Sequence, residues 1–254
     1  MILVIGGTSD SRAIAAELVN RGAPVLVSTA TGHGAGLAAG SGIEVVQGRL
    51  DREQLRELLD KKSIKALVDS SHPYAELVSQ NAAAACEESG IPYIRYSRPR
   101  EDIPPSPLIE TVDSYEEAAA RACAAGNTII AATGSKTAGI FTKGALGSGK
   151  RIIFRVIPDP GIIEMLISLG VAPNDIVAMQ GPFSEEMNIA LIRHCRADVM
   201  VTKESGSAGG FLEKARAAEK TGVLLIVVKR PPEPEGAVCT VEQAVSLAIG
   251  YIND

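Results

Sequence analysis

Residues 1–22 read MILVIGGTSDSRAIAAELVNRG, and this stretch decides the fold. The apolar run Ile2–Ile5 leads into Gly6-Gly7, a polar turn and then apolar positions at helical spacing. A nucleotide-binding βα unit begins this way, although the loop is not G-x-G-x-x-G. Glycines here let the backbone approach a phosphate, and the helix N-terminus offers N–H donors and the positive end of its dipole. Gly6, Gly7, Thr8, Ser9 and Asp10 are therefore candidate cofactor-binding residues, with Arg12 beside them and Ser11 as a further hydroxyl. The plainer alternative is that Ser9 or Asp10 only caps the helix and the glycines only make the turn.

Outward from this unit the alternation continues. Strands are predicted at Ile2–Ile5, Pro24–Ser28, Glu44–Gln47, Ala66–Asp69 and Tyr93–Tyr96, with helices near Ser11–Arg21, Arg52–Lys61 and Glu76–Ser89. The stretch SRPREDIPPSPLIETVDS then places Pro99, Pro104, Pro105 and Pro107 among charges, which is linker composition. Beyond it come a helix at Tyr115–Ala125 and strands near Thr128–Ala132, Arg151–Val156, Asp175–Met179, Asp198–Val201 and Val223–Val228. Such alternation implies parallel sheets with right-handed crossovers. The expected fold is α/β: two Rossmann-like domains, each a parallel β-sheet flanked by helices, with an interdomain cleft. The expected bounds are 1–98 for a dinucleotide-binding domain, 99–110 for a linker and 111–254 for a second α/β domain.

The bulk composition narrows the function classes. Of 254 residues, 46% are hydrophobic, enough for packed cores, and no run approaches the ~20 apolar residues of a membrane span. Met1 leads directly into a strand, so no signal peptide is expected, and the location expected is cytoplasmic. Cys86, Cys123, Cys195 and Cys239 form no C-x-x-C and read as free thiols in a reducing compartment. His33, His72 and His194 are too dispersed to suggest a metal site. A net charge of −5 and 4% aromatics argue against a nucleic-acid partner.

Several loops carry candidate chemistry. After the second strand, VLVSTATGHG offers Ser28, Thr29, Ala30 and Thr31 where a site selective for a ribose 2′-hydroxyl usually has Asp or Glu. This leans towards NADPH over NADH, with Arg49 the nearest cation to approach a 2′-phosphate. VDSSHPYAE puts Asp69, Ser70, Ser71 and His72 at a strand's carboxyl end, where open α/β sheets bind ligands; a capped turn is the alternative. In the second half ATGSK, QGPFSEEMN and VTKESGSAGG also fall at strand ends, making Lys136 and Lys203 candidates to bind carboxylates rather than plain surface charges. Two motifs fail. GALGSGK (144–150) is followed by Arg151 and a strand where a P-loop needs Ser/Thr and a helix, so it reads as a flexible connection. Neither Tyr-x-x-x-Lys nor G-x-S-x-G occurs.

Taken together, ILVIGGTSDSRAIA, VSTATGHG, GRLD, DSSHPYAELVSQNAAAAC, IPYIRYSRP, TGSK, MQGPFSEEMN, TKESG and KRP resemble the precorrin-6A reductases of cobalamin biosynthesis, including the cobalt-precorrin-6A reductases of the anaerobic route. They occur in the family's order over nearly the whole chain. DSSHPYA departs from the more usual Asp-Ala-Thr-His-Pro, with Ser70 for Ala and Ser71 for Thr. The resemblance implies hydride transfer from NADPH or NADH to a tetrapyrrole ring double bond, converting the 6A intermediate to 6B without flavin or metal. NADPH is associated with the oxygen-dependent route and NADH with the anaerobic one.

On this reading the Gly6–Asp10 loop holds the cofactor pyrophosphate, and the adenosine lies by Ser28–Thr31. His72 is the first candidate proton donor, because histidine titrates near neutrality. Glu204, were it to keep its proton, is the second. The substrate's carboxylates would pair with Arg95, Arg98, Lys136 and Lys203, with Ser135, Ser184 and Ser205 in the same loops. Tyr74 and Phe183 would cover the ring; alternatively Arg98 is a hinge contact. The expected partner is an anionic tetrapyrrole, and the expected state a monomer. Two rivals stay open: a non-catalytic dinucleotide sensor, and a methyltransferase whose Gly-rich loop holds an adenosyl cofactor.

Overall fold

The computed structural model describes residues 1–30, 42–99, 102–146, 148–206 and 209–253. The chain forms two compact units, Met1–Pro99 with Pro231–Asp254, and Arg100–Arg230.

The first unit opens with β1 (Ile2–Ile5), α1 (Ser9–Asn20), β2 (Val25–Thr29), β3 (Ile43–Gln47), α2 (Arg52–Lys61), β4 (Ala66–Asp69), α3 (Glu76–Ser89) and β5 (Tyr93–Arg95). Its sheet runs β3-β2-β1-β4-β5, parallel throughout. Strand alternation divides the core of β1 into two layers. Ile2 and Val4 pack with Ile14 and Leu18 of α1, whereas Leu3 and Ile5 pack with Leu55 and Leu59 of α2 and Ala82 and Ala85 of α3. A sheet buried on both faces explains why its strands read as unbroken apolar runs.

The second unit contains β6 (Ile109–Val112), α4 (Tyr115–Ala125), β7 (Thr128–Ala131), α5 (Ala138–Leu146), β8 (Arg151–Val156), α6 (Pro160–Ser168), β9 (Ile176–Ala178), α7 (Glu185–Cys195), β10 (Val199–Lys203), α8 (Phe211–Thr221) and β11 (Leu224–Val228). Its sheet is also parallel, in the order β6-β11-β10-β7-β8-β9. One layer of its core joins Ile130, Ile153, Met200 and Leu225 to Ile192 of α7 and Phe211, Ala215 and Ala218 of α8.

Three expectations are corrected here. The linker expected through residue 110 is partly strand: Ile109–Val112 pairs with β11 at the sheet edge. The first three residues of GALGSGK, Gly144–Leu146, are the last turn of α5, so the stretch is not wholly a flexible connection. The last segment does not belong to the second domain. After Arg230 the chain returns to the first unit, where Val238 donates to the Arg95 carbonyl (2.9 Å) and accepts from the Ser97 amide (2.9 Å). The helix that follows, α9 (Val241–Asn253), buries Ala244, Val245 and Ala248 against the same layer as Ile2 and Ile14. Parallel pairing carries no hairpin-turn signal, so sequence gave no cue to this return.

Among the described residues no helix is long and apolar enough to cross a membrane, and no group of His, Cys, Asp and Glu is arranged to hold a metal. Cys86, Cys123, Cys195 and Cys239 are free thiols.

Candidate functional site

In the first sheet β1 and β4 are neighbours, and the chain leaves them in opposite directions, to β2 and to β5. Their carboxyl ends mark a topological switch point, the usual ligand position in an open α/β sheet. The two loops there are pressed together. Ser70 donates to the Ile5 carbonyl through both its amide (2.9 Å) and its hydroxyl (3.0 Å). Gly6 has φ +150, and a Cβ on it would meet the Ser70 carbonyl oxygen and Ser11 Cβ at 2.9 Å each. Only glycine fits this close approach. Thr8 is the N-cap of α1: its hydroxyl accepts from the Ser11 amide (3.3 Å), and Ser11 Oγ accepts from the Thr8 amide (2.9 Å). Thr8, not Ser9 or Asp10, therefore caps the helix. The first-turn amides of Ser9 and Asp10 point along the axis, as helix geometry dictates.

A crevice results, lined by Thr8 and Asp10, residues 70–73, Tyr96 and Arg98. Arg98 pairs with Asp10 at its edge, so the carboxylate nearest the helix N-terminus is neutralised. His72 Nδ1 accepts from the Tyr74 amide (3.3 Å), which leaves the proton of the neutral ring on Nε2; the two rings lie 5.5 Å apart.

Beneath the crevice lies a buried polar network. Asp69 is wholly buried and accepts from the Ser71 amide (2.9 Å) and the Tyr93 hydroxyl (2.7 Å). Burial and the Asp69 charge push the Tyr93 phenol well up, and burial followed by the same charge pushes the Cys86 thiol up to about 12. Arg95 pairs with Asp69 (3.1 Å) and Glu233 (3.0 Å), and its guanidinium also donates to the Ser71 carbonyl (3.3 Å) and hydroxyl (3.2 Å). Burial opposes its charge, but Asp69 and Glu233 outweigh burial and hold its pKa raised. Asp69 and Arg95, expected to touch cofactor and substrate respectively, instead lie under the loop and set its shape. Ser70 and Ser71 likewise turn their hydroxyls to protein, Ser71 meeting Ser79 Oγ at 3.2 Å as well as Arg95.

At the end of β2, Ser28 and Thr29 are buried and Ala30 is exposed. The Ser28 carbonyl accepts from Gly6 (3.0 Å) and that of Thr29 from Gly48 (2.9 Å), which brings exposed Arg49 next to this edge. Thr31 and His33 lie outside the described residues. Arg12 is half-buried on α1.

The second sheet has its own switch point, between β7 and β10. After β7, Gly134 (φ +91) turns the chain into Ser135 and exposed Lys136, and buried Thr133 and Thr137 share a 2.7 Å hydrogen bond. After β10 come Lys203, Glu204 and Ser205. Glu204 is buried and accepts from the Arg230 amide (3.0 Å), so it fastens the start of the returning segment rather than standing open as a proton donor. After β9, Ser184 caps α7 through the Met187 amide (3.3 Å), and the Phe183 ring lies under the Arg155 guanidinium, 4.5 Å from centroid to carbon. Phe183 thus packs on a cation and is buried, not an open wall. Asn188, fully buried, accepts from Arg155 (2.7 Å) and donates to the Ser184 carbonyl (2.8 Å).

Behind this edge cations outnumber carboxylates. Burial, with Lys136 nearby, pushes Lys203 down to about 8. Burial, then Arg155 and Lys203, pushes Lys214 down to about 7, although it donates to the Gly209 carbonyl at 2.5 Å. Burial alone brings Arg155 to about 10. Burial is the larger cause for both lysines and neighbouring cations add to it, so an anion bound beside them would be favoured.

The sequence matches the Precorrin-6x reductase CbiJ/CobK family across residues 1–248. The chain belongs to this family. Its relatives include the Cobalt-precorrin-6A reductase of Priestia megaterium, 38% identical over 247 residues and covering 96% of both chains. That of Salmonella typhimurium is 37% identical and covers 91% of this chain and 87% of the relative. The Precorrin-6A reductase of Mycobacterium tuberculosis (strain ATCC 25618 / H37Rv) is 30% identical, covering 98% and 97%. Among solved structures, CobK precorrin-6A reductase superposes with a TM-score of 0.78 at 22% identity, over 98% of this chain and 96% of that one, a likeness of fold.

In this precorrin-6x reductase family member, sequence reasoning missed Arg155, Asn188, Lys214 and Glu233. Two of them had a signal. Arg155 follows Ile153 on one face of RIIFRV, and Lys214 shares the apolar face of α8 with Phe211, Ala215 and Ala218. A charge on a buried face is expensive and therefore informative.

Proposed function

We propose that this chain is a nicotinamide-dependent reductase that saturates one ring double bond of a precorrin-6A or cobalt-precorrin-6A macrocycle, in cobalamin biosynthesis. The observation that carries the reading is the crevice at the β1–β4 switch point, where Gly6 lets the loops after β1 and β4 meet and so sets the start of α1 beside residues 70–73. A dinucleotide suits it: the first-turn amides of Ser9 and Asp10 would face its pyrophosphate, and the Thr8–Ser11 cap keeps that turn in place. The Arg98–Asp10 pair removes a charge that would repel it. Gly7, open on the side where its Cβ would stand, leaves room for the ligand's backbone.

When bound, a reduced nicotinamide supplies the hydride. The chain's own residues orient and protonate. His72 lines the crevice and, once its ring has taken up a second proton from solvent, is suited as an imidazolium to deliver a proton to the carbon beside the one reduced. Lys136, Lys203, Lys214 and Arg155 are suited to the acetate and propionate groups of the ring, whose charges would restore the depressed lysine pKa values. Near-contact positioning of the reacting atoms can account for roughly 7–11 kcal/mol of the barrier. With no carboxylate at the end of β2 and Arg49 beside it, NADPH is the first nucleotide to try and NADH the second.

The test is anaerobic incubation of the purified chain with precorrin-6A or its cobalt form, NADPH and NADH in separate tubes. Substrate-dependent loss of nicotinamide absorbance, with a gain of two hydrogens in the macrocycle mass, is the expected result. Nucleotide binding with neither ring reduced would instead favour a dinucleotide sensor.

A further inference from the structure

We infer that Glu233, on the segment returning from the second unit, is a positioning residue for the nucleotide, acting through Arg95 on the 69–72 loop. The inference rests on the nicotinamide reading above. Its basis is a continuous chain of contacts inside the first unit. Glu233 Oε1 accepts from the Ser97 hydroxyl (2.7 Å), and Oε2 from Arg95 Nε (3.0 Å). The other side of the same guanidinium reaches Asp69, the Ser71 carbonyl and the Ser71 hydroxyl. Ser71 precedes His72, and both line the crevice.

A guanidinium is a rigid planar fork, so holding Nε fixes where its remaining donors point. Asp69 grips one side; Glu233 supplies the grip on the other. Without Glu233, Arg95 keeps an ionic partner but loses the contact that sets its rotation about the stem. The carboxylate itself is placed in advance. Glu233 stands between Pro232 and Pro234, which restrict the backbone of this stretch and lower the entropy lost on docking. Arg95 is 5% and Glu233 18% exposed, so the pair is little screened by solvent.

The experiment is a titration of the full chain with NADPH and, separately, NADH, followed by nicotinamide fluorescence, for the wild type, Glu233→Gln, Glu233→Asp and Ser97→Ala. Glu233→Gln keeps the size and the Ser97 hydrogen bond but removes the charge. Its nucleotide Kd is expected to rise about tenfold, the scale of one charge-assisted hydrogen bond. Glu233→Asp should recover part of the loss, and Ser97→Ala should stay within about twofold of wild type. In turnover the nucleotide KM should rise while kcat and the tetrapyrrole KM hold, a split that general loosening of the fold would not give. Should Glu233→Gln fail to fold, Arg95→Lys, which keeps the charge without the fork, takes its place with the same expected rise. Unchanged nucleotide affinity in the variant, or an equal loss in Ser97→Ala, overturns the inference. A wild type that binds neither nucleotide removes the reading beneath it, and the inference with it.

Discussion

The carbonyl oxygen of Ser70 lies 2.9 Å from where a Cβ on Gly6 would be, so the loops after β1 and β4 meet backbone to backbone. Gly6→Ala is expected to force them apart, at positive φ as well as in contact. A loss of about 2 kcal/mol in stability is expected, with nucleotide affinity falling more than tenfold. Thermal unfolding and nucleotide titration read the two effects.

Arg98 and Asp10 form the second relationship in that crevice. Arg98→Ala leaves Asp10 facing an anionic ligand, and a loss of about 1 kcal/mol in nucleotide binding is expected. Asp10→Asn added to Arg98→Ala should return most of it. A double-mutant cycle measured by titration checks the coupling, and additive effects would refute it.

The buried lysines predict opposite pH slopes for the unliganded protein and for substrate binding. Lys214 falls from 10.5 to about 7 in the folded protein, so between those values the unfolded chain binds more protons. Through this group stability therefore rises with pH across that window, and below it the burial cost is fully present. Affinity for a polycarboxylate runs the other way, falling above about pH 8 as Lys203 also loses its proton. Lys214→Met should flatten the stability slope and raise the tetrapyrrole KM. Denaturant titrations and kinetics from pH 6 to roughly 10, the range these lysines span, measure both.

Asn188 is fully buried between Arg155 and the Ser184 carbonyl. Asn188→Leu strands both partners and is expected to cost about 3 kcal/mol of stability. A thermal midpoint within a degree or two of wild type would contradict this account.

Much of the fold was legible because its signals are local. The apolar runs of β1 and β4 and the amphipathic spacing of α2 are written in consecutive residues, as are the glycines that follow β1. The crevice was legible as two loops, Gly6–Asp10 and Asp69–His72. Side-chain direction was not. Nothing near Asp69 or Arg95 in sequence says that they lie beneath the loop, since the partner that holds Arg95 is 138 residues away. Lys214 and Arg155 were missed although each interrupts a buried face. The return of Val238 to Tyr96 leaves no local trace, because a parallel partner needs no particular turn.

That return also fixes an order of events during synthesis. The second unit, Arg100–Arg230, is continuous and can close once its last strand has left the ribosome. The first unit cannot complete its core then, because Ile2 and Ile14 share a layer with Ala244 and Ala248, and those residues are made after the whole second unit. Until then the nascent β1 face stays uncovered by α9, and closing so long a loop is slow. The opening strand waits for a helix encoded far downstream, and in that interval its apolar face is open to chaperones and to aggregation.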